Sequence, residues 1–170
     1  MHGERVCQQR AAEWVLTNRY NDMATEHFTM SEMLYSETAV KKKIWNGATR
    51  EQEQNLQALM SVVLEPLRLK YGKPITVSSG FRNEEVNKAV GGVATSQHMA
   101  GEAADITAGS TSENRKLARL IVEMHLPFDQ LIDENGYKWV HVSFKRVGFN
   151  RGQVLRYKNK KYVIIRDSEL

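Results

Sequence analysis

Two imidazoles and a carboxylate are the side chains whose types and spacing suit metal chemistry. The first pair lies in Ser96-Gln97-His98-Met99-Ala100-Gly101-Glu102-Ala103-Ala104-Asp105, where a histidine and an aspartate flank a run of small residues. Their partner is His141 in Lys138-Trp139-Val140-His141-Val142-Ser143, an imidazole inside a β-branched and aromatic stretch. Zinc takes imidazole nitrogen and carboxylate oxygen in a tetrahedral shell, and its catalytic sites use three protein ligands and a water. His98, Asp105 and His141 would fill three positions and leave the fourth open. Cys7 is the single thiol, so zinc sites built on two or four cysteines are excluded by counting. Taken singly, His141 reads as a packed or solvated strand residue, Asp105 as a strand-end or helix-cap acid, and Arg82 as a surface charge pairing with Glu84 or Glu85. Only together do they point to chemistry.

The elements that must hold these donors follow from periodicity. Residues 4–18 read as a short amphipathic helix carrying Trp14, Val15 and Leu16, an N-terminal helical extension over 1–27 ahead of a domain over 28–170. Thr29 or Ser31 caps a helix that turns Met33, Leu34 and Ala39 inward. Asn46-Gly47 marks a turn, and Thr49 opens the strongest helix, with Leu56, Leu59, Met60, Val63, Leu64 and Leu67 at intervals of three and four. Pro66 lies inside that pattern and is expected to end or kink it. Ile75 to Ser78 is a short strand, 84–90 a helix, and 90–96 a loop that delivers His98. Gly101 suits a close backbone approach around a metal loop, and Ser96 and Gln97 are candidates to orient His98. Strands are expected over 103–107 and 128–132, and a helix over 110–126 between them. Alternation over 137–144 puts Tyr137, Trp139, His141 and Ser143 on one face, with Val140, Val142 and Phe144 opposite. A terminal hairpin is expected from 153–156 and 162–165, joined through Lys158-Asn159-Lys160.

Three motifs then carry a resemblance: Ser79-Gly80-Phe81-Arg82, the Ser96-x-His98-x-x-Gly101-x-Ala103-x-Asp105 pattern, and Trp139-Val140-His141-Val142. Together with Phe128-Asp129-Gln130-Leu131-Ile132 and Asn150-Arg151-Gly152-Gln153-Val154-Leu155, their order resembles the zinc D-alanyl-D-alanine carboxypeptidase and murein endopeptidase family, which shares its fold with Hedgehog domains. The resemblance covers about residues 28–165. It implies an α+β fold, helices packed on a small mixed or antiparallel sheet, with zinc in a surface cleft and peptidoglycan stem peptide as substrate. By position, His98, Asp105 and His141 match the metal ligands, and Arg82 matches the basic residue that meets the substrate carbonyl or carboxylate. Many relatives carry an acidic general base three residues before the last histidine, and that position here is Lys138. Glu134 and Asp133 are the nearest acids in sequence, and Glu134 is the favoured base.

Three functional classes follow: a zinc peptidase of the D,D-carboxypeptidase, cross-link endopeptidase or endolysin type; a non-catalytic zinc domain that recognises wall peptide or a protein partner; and a basic binding module. The 170 residues, 41% apolar and 26% charged, are those of an ordinary globular chain. A formal charge of +4 favours anionic partners weakly, because the cations are dispersed apart from Lys41 to Lys43 and 158–161. No nucleic-acid motif, internal repeat, export signal or membrane-length apolar stretch is visible. The expected protein is a monomer without nucleic-acid partners or stable membrane insertion. It would be made in the cytoplasm and act on the cell wall after release, as in phage lysis or from a virion.

Overall fold

The computed structural model describes residues 25–170, so the helix expected over 4–18 lies outside the described residues. Two short helices begin the described chain, α1 (Met30–Leu34) and α2 (Glu37–Lys42). The sequence suggested one helix here. Two caps divide it: Thr29 closes a capping box with Glu32, and the Ser36 side chain accepts from Ala39 N–H to start the second. Helix α3 (Arg50–Leu59) opens with a second capping box, Thr49 and Gln52. It passes through a π-helical turn, Met60–Leu64, into α4 (Glu65–Tyr71). Pro66 therefore does not end the helix. Its missing N–H and its ring disturb the preceding turn, and the wider π turn absorbs that disturbance before the α pattern resumes. Gly72, with φ +75°, closes α4. Two further helices follow, α5 (Glu84–Ala89), capped by Asn83, and α6 (Thr111–Glu123), capped by Ser110.

Six strands form one mixed sheet: β1 (Thr76–Ser79), β2 (Ala103–Thr107), β3 (Gln130–Glu134), β4 (Trp139–Ser143), β5 (Gln153–Lys158) and β6 (Lys161–Ile164). Their order is β1-β2-β4-β3-β5-β6, with only β3 and β5 parallel. The α+β expectation holds. One sheet face is apolar, and Ala104, Ile106, Leu131, Val140, Val142 and Val154 pack there with Leu56, Leu59, Leu67, Leu117 and Ile121 of the helices. Each fully buried Leu or Ile contributes about 1.5–3 kcal/mol, so this layer fixes the register that the opposite face depends on.

Register transmits order across the sheet. Asp105 pairs with His141, His141 with Ile132, and Glu134 with Trp139, so these side chains emerge on the face away from the helices. The sequence placed Tyr137 on that face as well, and the structure corrects this. Asn135, Gly136 and Tyr137 all have positive φ, so β4 starts only at Trp139, and the Tyr137 ring joins the core on the other side. The terminal hairpin forms as expected. Its loop is the two residues Asn159 and Lys160, at φ +52° and +61°, the doubly left-handed geometry that suits tight hairpins.

Candidate metal centre

His98 sits on a single 3-10 turn, Gln97–Ala100, which α3 holds from behind. Gln52 Nε2 donates to the Met99 carbonyl at 2.8 Å, and Asn55 Nδ2 donates to that of Ala100 at 2.9 Å. Gly101 ends the turn at φ +71°, and a Cβ there would lie 2.5 Å from the Gln52 carbonyl oxygen. The close approach expected at this glycine is thus made against a helix backbone. His98 is buried, and its Nδ1 lies 2.6 Å from the Gly80 carbonyl oxygen. A carbonyl only accepts, so the ring proton sits on Nδ1, and Nε2 presents a bare lone pair. Gly80 is therefore the group that orients His98, in place of Ser96 or Gln97. Gln97 instead donates to Asp129 at 2.8 Å.

Nε2 of His98 meets Nδ1 of His141 at 3.2 Å and Oδ1 of Asp105 at 3.3 Å, and the His141–Asp105 distance is 3.0 Å. Donors about 2.0–2.1 Å from a tetrahedral zinc stand about 3.3 Å from one another. The triangle has these dimensions. Even a proton on His141 Nδ1 would leave the lone pairs of His98 Nε2 and Asp105 Oδ1 facing each other at 3.3 Å, whereas a cation serves all three. These residues fit a metal, and they leave a fourth tetrahedral position open. Burial lowers the His98 pKa, favouring the neutral ring that a metal requires. Burial works to raise that of Asp105, but His98 and His141 overcome it and hold the carboxyl well below the usual range. A second trio, Glu26, His27 and Glu65, is more exposed. There Glu65 takes both the His27 backbone N–H at 3.1 Å and Nδ1 at 2.6 Å.

Arg82 is held beside the trio through its backbone. Its N–H donates to the His98 carbonyl at 3.2 Å, and Asn46 clasps the residues on either side, donating to the Phe81 carbonyl and accepting from Asn83 N–H. The turn signal at Asn46 gave no hint of this clasp. Among the described residues, the buried Arg82 Nε has no hydrogen-bond partner. Burial lowers its pKa, while Asp105 and Tyr162 favour the charged form, and a guanidinium stays protonated regardless.

The two carboxylates of β3 point opposite ways. Asp133 is buried on the helix side, accepting from Tyr137 N–H at 2.6 Å and from Arg156 Nε at 2.7 Å. Glu134 shares the face of His141. Burial raises its pKa, against the opposing pull of His141 and Tyr162. Its Oε1 accepts from the Tyr162 hydroxyl at 3.2 Å. Sequence reasoning missed Tyr162, which lies 28 residues away on an edge strand. Lys138, three residues before His141, is exposed; its backbone N–H donates to the Glu134 carbonyl, and its own carbonyl accepts from Asn114 Nδ2.

Two comparisons with known proteins match this chain. A zinc D-Ala-D-Ala carboxypeptidase of Streptomyces albus G is 34% identical over 96 residues, covering 55% of this chain and 38% of the relative. The chain thus matches well under half the length of that protein. The Peptidase M15 family model matches residues 26–143, which include all three donors, Arg82 and Glu134. On that match, over more than half of its length, the chain belongs to the Peptidase M15 family.

Proposed function

We propose that this chain is a zinc-dependent peptidoglycan peptidase that hydrolyses stem-peptide amide bonds, as a D,D-carboxypeptidase or an endopeptidase of the endolysin type. The observation that carries this reading is the triangle of His98 Nε2, His141 Nδ1 and Asp105 Oδ1, 3.0–3.3 Å on a side. The Streptomyces albus G relative, whose name gives both metal and bond type, supports zinc and a D-alanyl substrate. Zinc supplies a Lewis acid that brings the pKa of a bound water from about 15.7 to roughly 7.

The remaining work falls to side chains of this protein. Glu134 takes a proton from the attacking water and returns it to the leaving amine, a role for which a carboxyl raised by burial is suited. Asp133 is unfit for it, since both its oxygens are engaged by Tyr137 and Arg156. Arg82, held beside the trio by its N–H bond to the His98 carbonyl, meets the carbonyl oxygen with its guanidinium as that oxygen gains charge. The neutral ring of His98, fixed by Gly80, keeps its tautomer through the cycle. The wall is reached from outside the cytoplasm.

Mass spectrometry of muropeptides before and after treatment, with and without a chelator, tests the reading. It predicts new fragments that differ by cleavage of one stem-peptide amide and vanish on chelation. Intact muropeptides from a zinc-loaded protein would leave a metal-binding domain that recognises wall peptide or a protein partner.

A further inference from the structure

The outer strand of the terminal hairpin, β6, contributes little to the core, yet it reaches the metal centre through Tyr162. Tyr162, Val163 and Ile164 are all at least half exposed, so β6 is not kept in place by burial of apolar surface. What fixes it is register: the two-residue loop sets Tyr157 opposite Tyr162, and their rings lie 4.9 Å apart, inclined at 48°. A slip of one residue would turn Tyr162 to the other face. In the observed register, β3 lies between β4 and β5, and the Tyr162 hydroxyl crosses to Glu134. Burial of the hydroxyl end and the Glu134 charge push the phenol pKa up to about 12, so Tyr162 remains a donor at neutral pH. The hairpin also lies outside the residues, 26–143, that the family model matches.

We propose that the C-terminal hairpin is part of the catalytic apparatus, with Tyr162 as a positioning residue that holds Oε1 of Glu134 so that the other oxygen faces the reacting water. A carboxylate with one oxygen tied has one orientation for its free lone pairs. An untied carboxylate rotates, and a misplaced base loses most of its effect. Tyr162 is 56% exposed, and Arg82 lies close enough to both Asp105 and Tyr162 for each to favour its charged form. The inference rests on Glu134 being the base.

Tyr162→Phe tests it, because the ring and the hairpin pairing are retained and only the hydroxyl is lost. With the zinc-loaded full chain, kcat on a muropeptide should fall about ten- to a hundredfold, the range for a hydrogen bond to a charged group, with KM and zinc content unchanged. Val163→Thr, on the same strand and the opposite face, should leave kcat unchanged, which separates loss of the hydroxyl from loosening of the hairpin. Carboxyl-carbon NMR of Glu134 in the same two proteins gives a readout that needs no turnover. Its titration should move to higher pH in Tyr162→Phe, because a donor to the charged form is gone. Unaltered kcat in Tyr162→Phe, or an unaltered Glu134 titration, overturns the positioning role. If the wild-type protein leaves muropeptides intact while the Glu134 titration still moves, the peptidase reading fails and the Tyr162 contact stands.

Discussion

Exchanging the adjacent carboxylates of β3 one at a time, Asp133→Asn and Glu134→Gln, should damage different properties. Asp133 is 2% exposed and accepts two hydrogen bonds, one from a guanidinium whose side chain is 31% exposed. Breaking a buried ion pair costs about 3–5 kcal/mol, and the partly open arginine places this pair near the lower end, about 3 kcal/mol. For a chain of 170 residues that is a fall in Tm of about 6–12 °C. Turnover of the protein that remains folded should change little, because Asp133 faces the helices. Glu134→Gln keeps the shape and can still accept from Tyr162, so its Tm should stay within about 2 °C, under 1 kcal/mol. Its kcat should fall by about 100- to 10,000-fold, the usual contribution of a general base. Thermal unfolding and muropeptide turnover, measured on both variants at equal zinc content, decide the matter. Turnover lost from Asp133→Asn at unchanged Tm, or retained in Glu134→Gln, would refute the assignment of faces and roles.

The other predictions concern the metal, its supports and pH. Arg82→Lys should keep zinc but lose about a hundred- to a thousandfold in kcat, measured on the same muropeptide. Gly101→Ala must place a methyl 2.5 Å from the Gln52 carbonyl at positive φ, whereas the same change at Gly72 meets nothing within 4 Å. Urea unfolding should therefore show a loss of about 1–2 kcal/mol for Gly72→Ala and about 2–5 kcal/mol for Gly101→Ala, with weaker zinc binding only in the latter. Removing zinc should lower Tm by about 8–16 °C relative to protein held at a thousandfold the dissociation constant, equivalent to about 4 kcal/mol. Asp129 is fully buried; burial works to raise its carboxyl, and Arg151 and Lys145 hold it below the ordinary value. The stability it contributes is complete above its unfolded pKa of about 3.9 and is lost as pH falls through the lower folded value. Denaturation measured against pH should show Asp129→Asn less stable at pH 7 and with a flatter decline below pH ~4.

That His98, Asp105 and His141 would meet was legible because zinc selects side-chain types, and two short motifs contained them. The helix over α3 and α4 was legible from its apolar spacing, and the terminal hairpin from two runs joined through Lys158-Asn159-Lys160, although Lys158 belongs to β5 and the loop is one residue shorter. Other features depend on contacts that local spacing does not encode. The Gly80 carbonyl that orients His98 is a backbone group, which every residue possesses. Asn46 clasps segments 12 and 35 residues away, so its turn signal described only its neighbours. Glu134 and Asp133 could be separated only when the pairing of Ile132 with His141 was known, since alternation then assigns them opposite faces. Tyr137 misled because strand alternation was extended through three positive-φ residues, where the chain is still turning. Tyr162 reaches the site through the parallel pairing of β3 and β5, a long-range register with no signal in the hairpin itself.

X-ray absorption at the zinc edge, with metal analysis of the same sample, tests most directly whether His98, Asp105 and His141 hold one cation. The geometry predicts one zinc per chain, two imidazoles and oxygen donors at about 2.0–2.1 Å, and loss of the metal in Asp105→Ala. A folded wild-type protein that takes up no zinc, or a zinc with sulfur at about 2.3 Å drawn from Cys7, would contradict the account.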